Sequence, residues 1–459
     1  MPVQPMSAAL EAGETTREAI PYEPVGIAGA GAALAEKPAR FGDVLTLGFA
    51  ITVAVWIAAY ICRMPLVNAG GPVTVGMMLG AIFFGGMAAG RYSANEWRAG
   101  IAAGALSGGL DILIVGSLIH DYMAQHDREL IPSAALWIGG SLALNVVVAG
   151  LGAVVGSLMP STERGAIRWP RVFAVVLCCA TLPLITAGGL VTAFHAGMAV
   201  PDWPQSFQFN MFLFPLSMMQ KDEGRFYEHA HRLMGTLVGL TTLTLAIYLT
   251  VADRRRWVKV MVWGIFAAVC VQGILGGTRV TENSIGLAIT HGVFAQVVFA
   301  AMAAVAAITA REFIDLPAER RERSGADWAL ILTVLGMMIV QLTLGALVRH
   351  RNILVMFHLT LAAFVALAGF TAGVRAWGVD ENLRALRRAG AWLMTLIGVQ
   401  VFLGVLALVF RRVPPEAPTL LHAMLTTAHQ ANGAMLLATG AVQAAWTMRT
   451  LRVGGARSG

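Results

Sequence analysis

The segment Phe226-Tyr-Glu-His-Ala-His-Arg-Leu-Met-Gly235 decides the fold, because its polar residues run directly into an apolar stretch that continues to about Val251. Glu228 and His231 are three residues apart, so they share one face of a helix, with Arg232 beside them. A carboxylate, an imidazole and a guanidinium at the mouth of a membrane span are costly in free energy, which predicts that they serve a function.

The composition indicates a polytopic membrane protein. Hydrophobic residues make up 57% of the 459 residues and charged residues only 13%, whereas ordinary globular chains carry about 25% charged residues. Most apolar runs are long enough to cross a bilayer, which takes about 20 residues of helix. We therefore predict an all-α integral membrane protein with about twelve transmembrane helices. The predicted spans are 44–62, 70–90, 101–119, 134–158, 172–194, 229–251, 258–278, 286–309, 328–348, 353–374, 389–410 and 424–447.

Basic residues are concentrated in the connections that follow the even-numbered spans. The connection after the sixth span carries Arg254, Arg255, Arg256 and Lys259, whereas connections after odd-numbered spans typically hold one or two basic residues. Cytoplasmic loops are enriched in lysine and arginine, so this alternation places both termini in the cytoplasm, in a bacterial-type inner membrane. The net charge of +7 then reflects topology and predicts no nucleic-acid partner. Residues 1–40 are polar and mixed in charge, which predicts a disordered cytoplasmic tail.

Four histidines lie at one predicted depth, near the extracytoplasmic surface. His231 and His358 begin the sixth and tenth spans, and His291 and His429 lie a few residues into the eighth and twelfth. A lone histidine inside a membrane more often makes a hydrogen bond between helices. However, two neutral histidines from two helices of one bundle can clamp a haem iron axially, and four at one depth favour this chemistry. We predict that His231 pairs with His291, and His358 with His429.

An internal repeat relates the last eight spans. Val271–Gly277 resembles Val399–Val405, and Thr290–Ala295 resembles Ala428–Gly433. Two pseudo-symmetric four-helix bundles are the simplest account of this repeat. The predicted domains are 41–165, an extra N-terminal four-span unit of unassigned role, 166–315, the first half, and 316–459, the second half.

Only the first half carries an ionisable residue three positions before its histidine. Glu228 precedes His231, whereas Val355 precedes His358. Proton-coupled chemistry needs such a group and an electron-transfer haem does not, so the first half is predicted to be catalytic. The carboxylate could instead cap the helix N-terminus.

Other polar residues lie near the same membrane face. Arginines there could pair with haem propionates, and histidines about two helical turns before a ligand could lie at the haem rim. His195, in an outer loop, could face the substrate, while Asp111 could mark a proton path or pair with a neighbouring helix. The possible rim residues are Arg232, Arg349, Arg351, His350 and His422.

Several of these segments resemble the heme A synthase family. The family is known as eight-span proteins made of two similar four-helix halves, which convert heme O to heme A. The resemblance implies an oxidoreductase that oxidises a porphyrin methyl group to formyl through stepwise hydroxylation. It extends over residues 172–448 and rests on Ala196-Gly-Met-Ala-Val-Pro-Asp-Trp-Pro204, Glu228-His-Ala-His-Arg232, Gln272-Gly-Ile-Leu-Gly276, Gln341-Leu-Thr-Leu-Gly-Ala-Leu-Val-Arg349 and His429-Gln430.

The resemblance also implies roles for single residues. Glu228 would assist proton transfer or stabilise positive charge at the methyl carbon, and Asp202 and Trp203 would shape the substrate entrance. The ligands to heme O, the substrate, would be His231 and His291, and those to a haem b cofactor His358 and His429.

The implied partners are heme O synthase and terminal oxidase assembly factors, together with the lipid bilayer and a possible second copy of the chain. Some bacterial members carry a cysteine pair in an outer loop, and this chain has none. The four N-terminal spans are also outside the family's eight-helix pattern.

Two other functions fit part of the pattern. A di-haem membrane cytochrome b that transfers electrons between quinol and a partner would explain both histidine pairs, but it gives Glu228 no role. A transporter would explain twelve spans and a repeat, but its repeat should cover all twelve helices and its polar groups should lie near the midplane.

Overall fold

The computed structural model describes residues 41–119, 134–161, 167–316, 324–379, 383–411 and 419–450. The predicted N-terminal tail, 1–40, lies outside these ranges. Twelve long helices dominate the described chain, and it holds no β-strand beyond one isolated bridge between Ser206 and Phe209. The helices are α1 (Gly42–Arg63), α2 (Gly71–Tyr92), α3 (Glu96–Ile119), α4 (Ala134–Ser157), α5 (Trp169–Ala193), α6 (Glu223–Ala252), α7 (Arg256–Thr281), α8 (Ile285–Ile308), α9 (Ser324–Arg351), α10 (Val355–Trp377), α11 (Arg384–Val409) and α12 (Leu420–Arg449).

The prediction of an all-α integral membrane protein is confirmed. Within the described ranges, ten of these helices are long and apolar enough to cross a membrane by their length and composition. The other two, α3 and α12, are of similar length and carry polar side chains such as Asp111 and His429. Large apolar side chains of α10 and α11 are exposed, among them Leu367 at 70% and Phe402 at 63%, as expected of surfaces that face lipid.

Side-chain caps set the beginnings of several helices. The carboxylate of Asp222 accepts from the backbone N–H of Arg225 at the start of α6, Ser284 accepts from Leu287 at α8, and Thr419 accepts from His422 at α12. Such caps satisfy the free N–H groups of a first turn. Helix α6 therefore begins six residues before the apolar run that predicted it, and Glu228 lies within the helix rather than at its cap.

Helices α5 to α8 form one closed ring, in which each helix packs against the next and α8 returns to α5. Helices α9 to α12 form a second ring of the same kind. The two rings meet through α8 and α12, and the first helix of each ring, α5 or α9, also packs against the fourth helix of the other. This exchange is the contact pattern expected of a pseudo-twofold axis between two bundles.

Helices α1 to α4 pack against one another, and α1 joins them to α5 and α6. Small residues allow α2 and α4 to approach closely, as in other membrane helix pairs: Gly86 and Gly90 lie against the carbonyls of Ala149 and Ala153. Asp111 of α3 is buried and accepts hydrogen bonds from Trp56 Nε1 of α1 (3.0 Å) and from the Ser107 hydroxyl (3.3 Å). It therefore pairs with a neighbouring helix, the second of the two roles open to it.

The connection between α5 and α6, residues 194–222, folds over one end of the first bundle, and we call it the cover loop. It holds a short 3₁₀ turn, Met211–Leu213, and a short helix, Leu216–Met219. Phe214 in this loop is fully buried in a cluster with Tyr227 of α6, and Tyr60 of α1 packs against that cluster. The N-terminal helices thus support the loop that covers the site described next.

Candidate functional site

The four predicted histidines come together as two pairs with the same geometry. The ring centres of His231 (α6) and His291 (α8) are 6.5 Å apart, and the ring planes cross at 78°. The ring centres of His358 (α10) and His429 (α12) are also 6.5 Å apart, with planes at 75°. In each bundle the pair therefore joins the second and fourth helices.

This spacing fits two imidazoles bound to opposite sides of one haem iron. Metal–imidazole bonds of about 2 Å each, with roughly 1 Å from each nitrogen to its ring centre, put the ring centres roughly 6 Å apart. Among the described residues no group of three or more His, Cys, Asp or Glu side chains could hold a metal ion. Two histidines suffice when a porphyrin supplies the other ligands.

A glycine on the preceding helix lies against each histidine. A Cβ at Gly188 or Gly276 would be 2.9 Å from Cε1 of His231 or His291, and at Gly345 or Gly404 it would be 3.0 Å from Cε1 of His358 or His429. The same contact recurs in the hairpins α5–α6, α7–α8, α9–α10 and α11–α12. The repeat predicted between the two halves is therefore also a repeat between hairpins.

The first pair has a buried carboxylate beside it. Glu228 is 2% exposed; its Oε2 accepts from the N–H of Val200 (2.9 Å) and its Oε1 from Arg232 Nη2 (2.8 Å). Because Asp222 caps the helix, capping does not explain Glu228. An ion pair this buried is strongly held, since removing one partner leaves a charge unpaired in a low dielectric.

Arg232 fastens the cover loop to α6. Besides Glu228, its guanidinium donates to the carbonyls of Val200 (2.7 Å), Asp202 (2.6 Å) and Gln205 (3.1 Å). Both terminal nitrogens are therefore engaged by protein groups that hold the loop against α6, and the pairing of Arg232 with a propionate stays a prediction.

Asp202 and Trp203 belong to the same loop. The carboxylate of Asp202 accepts from the N–H groups of Phe207 (2.7 Å) and Gln208 (2.6 Å), which closes a turn within the loop. The indole of Trp203 lies against Gly277 of α7, where a Cβ would clash with the ring. Trp203 is 40% exposed, so it lies at the rim of the first bundle.

The motif analysis missed Arg279, near the end of α7. Its Nη2 donates to the carbonyl of Gly197 in the cover loop (3.0 Å), and its guanidinium lies near Glu228, His231 and His291. A signal for it was present, because Gln272-Gly-Ile-Leu-Gly276 leads to Arg279 much as Gln341-Leu-Thr-Leu-Gly345 leads to Arg349.

Arg349 lies between the two bundles. Its Nη1 donates to Gln430 Oε1 of α12 (2.6 Å), and its Nη2 donates to the Gly189 carbonyl of α5 (2.8 Å). It thus joins the residue after Gly188, the glycine that lies against His231, to the residue after His429.

Two of the three remaining rim candidates, His350 and His422, lie near Arg349, and His195 lies near His422. His350 is close to Arg349 and Arg279, and His422 is close to Arg349 and His195. Arg351, at the last residue of α9, is exposed. His350 and His422 therefore lie around Arg349, with Arg279 as an unpredicted neighbour of His350.

The second histidine pair has different surroundings from the first. Residues 352–354 are the whole connection between α9 and α10, so this connection is too short to form a loop like the cover loop. Val355 replaces the glutamate, and the neighbouring Met356 and Phe357 are 70% and 65% exposed. The asymmetry between the halves thus includes the covering loop as well as the carboxylate.

Comparison with known proteins supports the heme A synthase family for the segment that contains the first pair. Residues 171–357 match the COX15-CtaA family, described as cytochrome oxidase assembly protein. Over 227 residues the chain is 23% identical to a heme A synthase from Cereibacter sphaeroides; the match covers 42% of this chain and 57% of that protein's length. No solved structure matches the chain. The family match includes Glu228, His231 and His291 and ends one residue before His358.

Proposed function

We propose that this chain is a heme A synthase, an integral membrane oxidoreductase that converts heme O to heme A by stepwise oxidation of a porphyrin methyl group to formyl, for maturation of a terminal oxidase. The observation that carries the proposal is the asymmetry of two otherwise equal histidine pairs. Both pairs have ring centres 6.5 Å apart, but among the described residues only the first has a buried carboxylate and a covering loop.

In this proposal the two bundles have different functions. His231 and His291 hold the substrate, heme O, and His358 and His429 hold haem b. When bound, haem b supplies one-electron transfer. Residues 166–315 form the substrate half and 316–459 the electron-transfer half, with 41–165 as an additional unit that supports the cover loop through Tyr60.

Glu228 is the proposed catalytic residue. Its carboxylate is held three residues before His231 by Val200 and Arg232, so it does not need to reorganise during the reaction. A fixed negative charge in a water-poor site stabilises positive charge that develops on a nearby carbon, and it can accept a proton.

The cover loop keeps this chemistry away from water. Arg232 holds three loop carbonyls against α6, and Trp203 closes against Gly277 of α7. Expelling water strengthens each electrostatic interaction in the site. An electron-transfer site needs no such cover, which agrees with the short connection above His358.

Arginines near the pairs fit the propionates of a porphyrin. Among the described residues, Arg279 donates to one backbone carbonyl, and Arg349 donates to Gln430 and to one backbone carbonyl. Each guanidinium has further N–H groups that could bind a propionate. Guanidinium groups bind carboxylates with two parallel hydrogen bonds. We assign Arg279 to the substrate side and Arg349 to the boundary between the two sites.

The setting of the enzyme follows from the same proposal. It lies in the inner membrane with both termini cytoplasmic and the haem sites near the extracytoplasmic face. It receives heme O from heme O synthase and delivers its product to assembly factors of a terminal oxidase. A second copy of the chain is a further possible partner.

The test is the haem content of membranes that contain this chain and a heme O synthase. Extracted haems are separated by chromatography and identified by mass. We expect heme A with the unaltered chain, and loss of heme A with retention of haem b in Glu228→Gln. Glu223→Gln, an exposed glutamate one turn earlier on α6, is the matched control and should leave the yield of heme A unchanged.

Two results would contradict the proposal. Unconverted heme O beside a haem-loaded protein would favour the di-haem cytochrome b, which transfers electrons without changing the porphyrin. Normal conversion by Glu228→Gln would remove the catalytic role of Glu228. The variant His358→Ala tests the second site separately from the first, because it should lose haem b.

A further inference from the structure

Three of the four histidine hairpins share a second contact besides the glycine. Four residues before Gly276, Gly345 and Gly404 stand Gln272, Gln341 and Gln400. The fourth hairpin, α5–α6, has Leu184 at the equivalent position before Gly188. This departure lies beside His231, in the half that holds the substrate in the proposed function.

The glutamine amides hold the histidines of their hairpins. Gln272 Nε2 donates to the carbonyl of His291 (2.8 Å), and Gln341 Nε2 donates to the carbonyl of His358 (2.9 Å). The amide of Gln400 lies 3.3 Å from Nε2 of His429, and its oxygen accepts from Asn432 (2.7 Å). The amides of Gln272 and Gln341 thus tie their histidines to the helix that faces them, and the amide of Gln400 is joined to α12 through Asn432, three residues after His429.

The backbone carbonyls of the same residues act on the imidazoles. Nδ1 of His291 and of His358 lies 3.1 Å and 3.2 Å from the carbonyls of Gln272 and Gln341. Such a partner fixes the orientation of a ligating imidazole and raises its basicity. Nδ1 of His231 and Nδ1 of His429 have no hydrogen-bond partner within the part of the chain that the structure describes, although the carbonyls of Leu184 and Gln400 lie near these two imidazoles.

Helix α5 differs from the other three glycine-bearing helices in its backbone too. Pro183 lies inside α5, whereas the sequences of α7, α9 and α11 contain no proline. A proline inside a helix has no N–H to donate and therefore removes one main-chain hydrogen bond. Pro183 and Leu184 together leave the α5–α6 hairpin without two of the restraints that the other hairpins have.

We propose that His231 is the exchangeable ligand of the four, and that Leu184 is the positioning residue that makes it so. A substrate must enter and its product must leave, whereas a resident haem must stay. In three hairpins a glutamine amide joins the two helices next to the histidine, and the hairpin without this glutamine belongs to the site where exchange is required. This inference rests on the proposed function and adds which of the four histidine ligands dissociates from the iron during exchange.

Haem release is the direct measurement. The full-length protein is loaded with haem b, and its transfer to excess apomyoglobin is followed by absorbance. His358→Ala reports the first site alone, and His231→Ala reports the second site alone. We expect faster release from the first site. Because a hydrogen bond changes a rate by about fivefold, Leu184→Gln should slow first-site release by roughly that factor, with sharper low-spin absorption bands.

Two further variants test the same inference. Leu184→Met has a similar volume but no amide, so it should leave first-site release unchanged. Gln341→Leu should speed haem release from the second site by about fivefold. This variant tests the inference even where Leu184→Gln fails to fold. Equal effects of Leu184→Gln and Leu184→Met, or no effect of Gln341→Leu, would overturn the inference and leave the proposed function standing. Failure of both sites to retain haem would overturn the proposed function together with it.

Discussion

Glycines determine where the four imidazoles lie. At Gly404 an added Cβ would be 3.0 Å from Cε1 and 3.5 Å from Nδ1 of His429, so the ring would have to move away from α11. Packing in membrane helices depends on such small residues because they bring neighbouring surfaces into contact. In this protein the surface brought into contact is a histidine ring rather than another backbone.

Gly404→Ala should therefore weaken haem binding at the second site. Overpacking of this kind costs about 1–3 kcal/mol, which lowers affinity by roughly fivefold or more. Gly398→Ala, on the same helix but with nothing within 4 Å of the added Cβ, should have no effect. Both variants are measured by the haem b content of the purified protein, and equal content would show that the ring tolerates displacement.

The sequence could predict the paired histidines and the neighbours of Glu228 on its own helix. Spacing along a helix fixes which residues share a face, so Glu228, His231 and Arg232 were placed correctly relative to each other. It could not predict that the N–H of Val200 binds Glu228, because loop geometry leaves no periodic signal. Arg279 was missed because one arginine at a helix end is more often a topology signal than a site residue.

At the scale of helices, the apolar runs located each helix but not its ends. The runs mark the part that lipid or protein surrounds, whereas caps such as Asp222 extend α6 into the polar first turns that carry the site. The sequence showed only part of the repeat between hairpins. Its signal is a glutamine and a glycine four residues apart, and Leu184 interrupts it in α5.

The contact between α2 and α4 gives a prediction at the same scale. A Cβ at Gly90 would meet the carbonyl, carbonyl carbon and Cα of Ala153, which are backbone atoms that cannot rotate away. Gly90→Ala should force the two helices apart and destabilise the N-terminal unit by about 1–3 kcal/mol. The measurement is thermal unfolding in detergent.

Gly80→Ala is the matched control for this contact. Gly80 lies on the same helix, and nothing lies within 4 Å of its added Cβ. Alanine is favoured over glycine in a helix by about 1 kcal/mol, so this variant should be neutral or slightly more stable. If Gly90→Ala unfolds at the same temperature as Gly80→Ala, close backbone contact does not hold α2 to α4.

Across the whole molecule, two four-helix rings meet at α8 and α12, and the N-terminal unit adds to one side of the first ring. Duplication explains why the two histidine pairs have equal geometry. The differences between the halves are local: a carboxylate, a covering loop, and Leu184 where glutamine stands elsewhere. The differences on which the proposed function rests therefore all lie on the side of α5 and α6.

The orientation of the molecule in the membrane gives the last prediction. The sidedness of basic residues predicts that the cover loop lies outside and the connection between α6 and α7 inside. In a variant whose four cysteines are replaced by alanine, Gln205→Cys and Arg254→Cys put single exposed thiols in these two connections. A membrane-impermeant maleimide added to intact spheroplasts should label Gln205→Cys, and it should label Arg254→Cys only after permeabilisation. The reverse pattern would place the haem sites at the cytoplasmic face, where the cover loop would have to admit substrate from inside the cell.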